Sequence, residues 1–429
     1  MTVDRAKHRA GARVARHIGF ALVVLLVGVV LVVTATVPAA SPRRVVTGVA
    51  ELVGESAFYD PPSPYVAAAP GTVVRTERLL SAPAGAIAWR VLYHSRDARG
   101  TDLVVSGLVV APDDANPTSP AAPASGRTVV GWAHPTTGAA ARCAPSNGID
   151  PFDLVEGLPA LLKAGYIVAA PDYPGLGTPG QSSYLIGASE GNSLLDAVRA
   201  ARTLPGVRAG QDVVLWGHSQ GGQAVLFAGQ DARTYAPDLT VRAAAVAAPA
   251  TQLATLISDH SDDVSGVTIG SYAFAAYQSF YAGTGPGQVP GLSLQSVLTD
   301  DGAAVTPKMA SLCLFGQLLQ LHGIARPLVG RYLRSDPGTT QPWATLLAEN
   351  TPGSSPLGIP LYVAQGDKDA LVVPSATEQY VSRLCAAGEH VTLRLYAGAT
   401  HGTIAFRAMS DVSAFLTASP AGRPPASTC

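Results

Sequence analysis

From Thr72 onward, apolar residues fall into short runs separated by Gly, Pro, Asp and Ser, the pattern of strands and turns. Three such runs, "TVVRTERLL", "AIAWRVLYHS" and "TDLVVSGLVVAP", follow one another with only turn signals between them. Beyond the loop "DDANPTSPAAPASG" the pattern changes: strands such as "RTVVGWAHP", "GYIVAAPDYPGLG", "DVVLWGHS" and "VRAAAVAAP" now alternate with stretches of helical period. Strands that alternate with helices build a parallel sheet with helices on both faces, so the fold class expected is α/β with a wound, mostly parallel sheet. The helix "SEGNSLLDAVRAARTL" has Ser189 in the position of an N-cap. Between Pro249 and Gly358 the strand pattern stops, and "TIGSYAFAAYQSFYA", "AAVTPKMASLCLFGQLLQLHG" and "QPWATLLAE" read as helices. It resumes with "IPLYVAQGDKD", "PSATEQYVSRLCAAG", "HVTLRLYAGATHG" and a last helix near "TIAFRAMSDVSAFLTA".

These changes divide the chain into an extended lead-in (41–71), the first part of a core (72–249), a helical cap insertion (250–358) and the second part of the core (359–429). Residues 1–40 stand apart. The basic stretch "RAKHRAGARVARH" precedes an uncharged apolar run at 18–37, which is long for a signal-peptide core and long enough to span a bilayer. A signal peptide cleaved after Ala39 or Ala40 and a retained membrane anchor both fit. Either way the basic flank stays inside and the rest is exported, secreted or held at the outer membrane face.

With 429 residues, 47% of them hydrophobic, the chain can bury a large core. Its 29 Lys and Arg balance 30 acidic residues with no basic face beyond the amino terminus, which argues against a nucleic-acid partner. Cys143, Cys313, Cys385 and Cys429 suit two disulfides in an oxidising compartment, with three pairings open. None has zinc-ligand spacing, so no metal or cofactor is expected.

The chemistry centres on "WGHSQGGQA", where G-H-S-Q-G joins the apolar run "DVVLW" to a helical stretch. On such a strand-turn-helix elbow the glycines permit a sharp bend that lifts Ser219 to the carboxyl end of the sheet. A serine hydroxyl becomes nucleophilic only when a base takes its proton, and the base must be oriented by an acid. In wound hydrolases both follow the serine, on loops after later strands. "LYVAQGDKDALVVP" offers Asp369 as the acid, with Asp367 as second choice, and "LYAGATHGT" offers His401 as the base. The backbone N–H of Gln220 is the expected first oxyanion donor. The second is sought in "GWAHPTTGAAARCAPS", at Thr136, because Pro135 has no N–H.

"FYDPP", "WAHPTTG" with "RCAPS", "PDYPGLGTPG", "GHSQGG", "GDKDALVVP" and "GATHG", in this order, resemble the secretory lipase family of the α/β-hydrolase fold, over about residues 55–429. The resemblance implies an acyl-ester hydrolase, a triacylglycerol lipase or carboxylesterase, with Ser219, Asp369 and His401 as its triad. It implies a cap over an acyl-binding pocket, a lipid or small acyl ester as partner, and disulfides Cys143–Cys313 and Cys385–Cys429. One departure is His134-Pro135, where many relatives have His-Gly, and Asp172 in "PDYPGLG" reads as a structural turn residue. An acyltransferase, a serine peptidase or another serine hydrolase uses the same triad, and a non-catalytic lipid-binding protein at the cell surface is the alternative from another class. Acyl chain length and oligomeric state are not encoded in any of these motifs.

Overall fold

The computed structural model describes residues 57–423 and 426–429, so the signal-peptide or anchor segment at 1–40 and the first part of the lead-in lie outside the described residues. Within the segment expected to be a plain extended lead-in, Phe58 and Tyr59 are buried against Leu92 and Val104. Arg75 holds the carbonyls of Ala57 and Phe58.

The three early runs become β1 (Val73–Arg78), β2 (Ala86–Arg96) and β3 (Asp102–Pro112), paired antiparallel. They are followed by β4 (Arg127–Ala133), β5 (Ile167–Pro171), β6 (Ala209–His218), β7 (Thr240–Ala247), β8 (Leu361–Gly366) and β9 (Val391–Tyr396). The sheet order is β1-β2-β3-β5-β4-β6-β7-β8-β9. β3 and β5 run antiparallel, whereas every pair from β5 through β9 is parallel. The central strands are near-continuous apolar runs because both of their faces are covered.

Side chains alternate between the two covers. Along β6, Val213 and Leu215 enter one core and Val214 and Trp216 the other. The first core is closed by α2 (Gly187–Ala201), α3 (Gln220–Tyr235) and α9 (Pro374–Ala386). The second is closed by the short α1 (Leu158–Lys163) and by α10 (His401–Ala418), whose Ile404, Ala408, Val412 and Phe415 repeat at helical spacing. Ser189 does not cap α2. The helix starts two residues earlier, after Ile186, and Ser189 is buried inside it, where its hydroxyl accepts the Ala98 N–H at 2.9 Å.

Between β7 and β8 the described chain forms no named strand. It folds into α4 (Leu253–Asp259), α5 (Val264–Tyr281), α6 (Asp300–Ala310), α7 (Leu314–Ala325) and α8 (Trp343–Glu349) around a third core containing Tyr272, Phe274, Tyr277 and Trp343. The helical reading of residues 303–323 is interrupted: α6 ends at Ala310, and Phe315 to Gln317 leave the helical conformation at Gly316, whose φ is 86°. Cys313 lies in that break, bonded to Cys143 and bridged to Gly138. The other disulfide joins Cys385 to Cys429. Both pairs are those implied by the family resemblance.

Candidate active site

β6 lies near the middle of the sheet, between β4 and β7, and its polypeptide turns abruptly into α3 at Ser219. Ser219 has φ 57° and ψ −117°, a conformation that costs energy for any residue with a side chain. Two glycines make the bend possible. A Cβ on Gly217 would sit 2.3 Å from the Gly221 carbonyl oxygen, and one on Gly221 would sit 1.9 Å from the Ala133 oxygen. The bend is pinned by the Ser219 N–H, which donates to the Ala247 carbonyl at 2.9 Å.

His401 is the first residue of α10, fixed by a capping box between Thr400 and Thr403. Its Nε2 is 2.9 Å from Ser219 Oγ, and its Nδ1 is 2.8 Å from Asp369 Oδ2. Asp369 stands on the loop after β8. Its Oδ1 accepts the N–H groups of Leu371 at 2.9 Å and Val372 at 2.8 Å. Burial works to raise the Asp369 carboxyl, but the hydrogen bond and charge of His401 and the two amides outweigh it, so its pKa lies below the ordinary value. Burial pulls the His401 pKa down, against the opposing pull of Asp369. Asp367, the second choice for the acid, instead accepts the Gly398 N–H at 2.6 Å and braces the neighbouring loop.

Thr136 and Gln220 line one small cavity with Ser219, of about 70 Å³, whose walls are mostly apolar and come largely from the insert, including Leu253, Ile257, Ile269 and Tyr277, with His260 among them. The Thr136 hydroxyl is bonded to the Tyr184 hydroxyl at 2.8 Å. The Gln220 N–H opens α3 and is one of the first-turn amides that have no acceptor within their own helix. A much larger surface cleft, about 1070 Å³, lies between Pro120, Phe152, Leu158 and Phe406 and includes none of Ser219, Asp369 and His401.

His134, before Pro135, is buried with Nδ1 2.7 Å from the Pro135 oxygen and Nε2 3.2 Å from the Asp172 oxygen. Burial lowers its pKa to about 4. Its ring stacks on Tyr173 with centroids 4.2 Å apart, and the Tyr173 hydroxyl donates to the His134 carbonyl, so the Thr136 loop is stapled to the turn after β5. The Asp172 side chain is taken up by β3 and by the loop at Ser146. It accepts the Ser106 hydroxyl at 2.6 Å and the Ser146 N–H at 2.8 Å, and burial raises its pKa.

Two buried acids beside the elbow carry no motif in the sequence. Glu156 pairs with His218 Nδ1 at 3.0 Å, and the His218 ring lies 4.9 Å, centroid to centroid, from that of His401. Glu190, fully buried on α2, accepts the Gln220 side-chain N–H at 2.7 Å and the Leu185 N–H at 3.0 Å, while its Oε2 has no partner. Burial holds the Glu190 carboxyl well above its ordinary pKa. The periodicity of α2 hides Glu190, since an acid in a helix usually marks the solvent face. Among the described residues, no group of three or more His, Cys, Asp and Glu is arranged to hold a metal ion.

Comparison with known proteins agrees with this architecture. The chain is 27% identical to Lipase 6 of Candida albicans over 202 residues, covering 42% of this chain and 41% of that protein. It is 25% identical to the secreted triacylglycerol lipase LIP7 of Malassezia globosa over 390 residues, 84% of this chain and 78% of that protein. The chain thus spans about two-fifths of the length of the first curated relatives it matches, 41% in each of the first two. The crystal structure of Candida antarctica lipase A superposes with a TM-score of 0.68 over 88% of both chains at 20% identity, which establishes the α/β-hydrolase fold. The family model described as secretory lipase matches residues 154–428, from the approach to α1 to the penultimate residue, and the chain therefore belongs to the secretory lipase family.

Proposed function

We propose that this chain is an exported serine carboxylic-ester hydrolase, a lipase or esterase that cleaves acyl esters, triacylglycerols among them. The observation that carries this reading is the unbroken hydrogen-bonded line from Ser219 Oγ through both ring nitrogens of His401 to Asp369. A serine hydroxyl, an imidazole with a free electron pair and a buried carboxylate, in that order, are what acyl transfer to serine requires. Family membership and the lipases among its relatives support the same assignment.

In the first step the Ser219 oxygen attacks the ester carbonyl while its proton passes to His401 Nε2. Charge gathers on the former carbonyl oxygen, where the Gln220 N–H and the Thr136 N–H donate to it. One such donor typically contributes about 3 to 4 kcal/mol. Asp369 stabilises the imidazolium and fixes its tautomer. His401 then returns the proton to the departing alcohol, leaving acyl-Ser219. Water, deprotonated by the same imidazole, attacks that ester and releases the acid.

The helical insert acts as a cap whose apolar wall receives the acyl chain, in keeping with the Leu, Ile and Tyr side chains around Ser219. The basic then apolar amino terminus and the two disulfides favour an extracytoplasmic location. The test is hydrolysis of p-nitrophenyl esters of increasing chain length by wild type and Ser219→Ala. Loss of the serine should reduce kcat by roughly 10⁶-fold. Turnover within tenfold of wild type would remove Ser219 from the reaction.

A further inference from the structure

We propose that His260, from the helical insert, is a positioning residue of the ester-cleaving site that holds the Asp369 carboxylate through a single peptide unit; this rests on the hydrolase reading above. His260 follows α4, and its Nε2–H donates to the Leu371 carbonyl at 2.8 Å. The other half of that same peptide unit, the Val372 N–H, donates to Asp369 Oδ1 at 2.8 Å. In a planar trans peptide the C=O and N–H point in opposite directions. The Leu371–Val372 unit is therefore a rigid link, gripped at its oxygen by the insert and at its hydrogen by Asp369. Asp369 in turn sets His401, and His401 sets Ser219. Hydrogen bonds arranged head to tail polarise one another, so a donor at the far end strengthens the near one.

His260 is itself held firmly. Its Nδ1 lies 2.5 Å from Asp263 Oδ2, and Asp263 Oδ1 caps α5 by accepting the Gly266 N–H at 2.7 Å. The insert backbone closes on it so tightly that a Cβ on Gly266 would lie 1.9 Å from the His260 carbonyl oxygen. His260 also lines the cavity beside Ser219. A histidine serving only the packing of the insert has no need to reach a carbonyl two residues beyond Asp369. This one spans the boundary between insert and core, so the position of the insert is transmitted to the carboxylate.

The experiment compares wild type, His260→Phe, His260→Gln, Asp369→Asn and the double variant His260→Phe/Asp369→Asn on p-nitrophenyl butyrate, with thermal melts of each. His260→Phe keeps a ring but no donor, and should lower kcat about tenfold with KM within about twofold, the size of effect expected from a small misplacement of a catalytic group. His260→Gln, whose amide can donate to the Leu371 carbonyl, should recover most of that loss. Combined with Asp369→Asn, the His260→Phe effect should disappear, because there is no carboxylate left to orient. Unchanged kcat, a loss confined to KM, or the full loss persisting in the Asp369→Asn background would each overturn the positioning role. If His260→Phe melts below the assay temperature, His260→Met serves as the variant without a donor, with the same expected values. Ser219→Ala in the same assay separates the two readings. An active Ser219→Ala defeats the hydrolase assignment, whereas an inactive one beside an unaffected His260→Phe defeats only the role given to His260.

Discussion

Ser219 Oγ and His401 Nε2 lie 2.9 Å apart although 182 residues separate them in the chain. That contact places one proton between a hydroxyl and an imidazole, and it constrains how the protein must respond to pH.

In the proposed reaction His401 accepts the Ser219 proton only when neutral, and burial lowers its pKa below the ordinary histidine value of about 6.5. A lowered pKa keeps the ring neutral to more acid pH. The acid limb of kcat/KM should therefore have its midpoint below that of an ordinary histidine. A pH–rate profile with its midpoint above 7 would contradict the burial argument. Asp369→Asn should lower kcat by about 10³- to 10⁴-fold, since the amide no longer holds the productive tautomer.

Gly221 is the sharpest steric constraint in the elbow. Gly221→Ala would drive a methyl group onto the Ala133 backbone oxygen, 1.9 Å away, and neither partner is a flexible side chain. Displacing the turn by about 1 Å is enough to reduce activity by around 10²-fold. The expected outcome is that loss in kcat together with a lower melting temperature. Gly402→Ala, a position where a Cβ meets nothing within 4 Å, should leave the fold's stability nearly unchanged.

The meeting of Ser219, His401 and Asp369 was legible in the sequence because each follows an apolar strand, β6, β9 and β8, in a distinctive local run of residues. Ser219, Asp369 and His401 required only the order of elements to be associated. Glu156, Glu190 and His260 could not be found that way. Their partners are His218, Gln220 and the Leu371 carbonyl, 62, 30 and 111 positions away in sequence, and no periodicity links them. Ser189 misled for a related reason: it has the chemistry of a cap, but its hydroxyl is taken by the Ala98 N–H from another loop, so α2 begins earlier. The break in α7 was equally hidden, since the apolar run "LCLFGQLLQL" is helical in composition and Cys313 is drawn off by the disulfide.

Glu190 should make stability depend on pH in the alkaline direction. Its folded pKa is raised by burial, so its contribution is fully present below the unfolded carboxylate pKa and is lost as pH rises through the folded value. Glu190→Gln keeps an oxygen for the Gln220 and Leu185 donors and removes the titration. The variant should melt higher than wild type at pH 8, by the few degrees that about 1–2 kcal/mol gives in a chain of this size, and this advantage should shrink at pH 5. An advantage of equal size at both values would mean that Glu190 does not titrate differently in the folded protein.

The two disulfides should contribute unequally. Cys143–Cys313 closes 170 residues and ties the Thr136 loop to the insert, whereas Cys385–Cys429 closes 44. Chain-entropy reasoning gives upper values of about 5 and about 4 kcal/mol. Replacing Cys143 and Cys313 by Ala should lower both melting temperature and kcat. Replacing Cys385 and Cys429 should lower melting temperature alone, because that pair ties α9 to residues 426–429 beside β9 and none of these residues lines the cavity at Ser219. Melts and p-nitrophenyl butyrate kinetics on the two double variants measure both effects.

The most direct measurement is labelling of the folded protein with a fluorophosphonate, followed by mass mapping of the adduct against residual esterase activity. A hydroxyl activated by His401 should yield one adduct, on the peptide containing Ser219, with activity lost in proportion to labelling and no adduct in Ser219→Ala. Labelling of a different residue in step with inactivation, or an unlabelled Ser219 in fully active protein, would contradict the account.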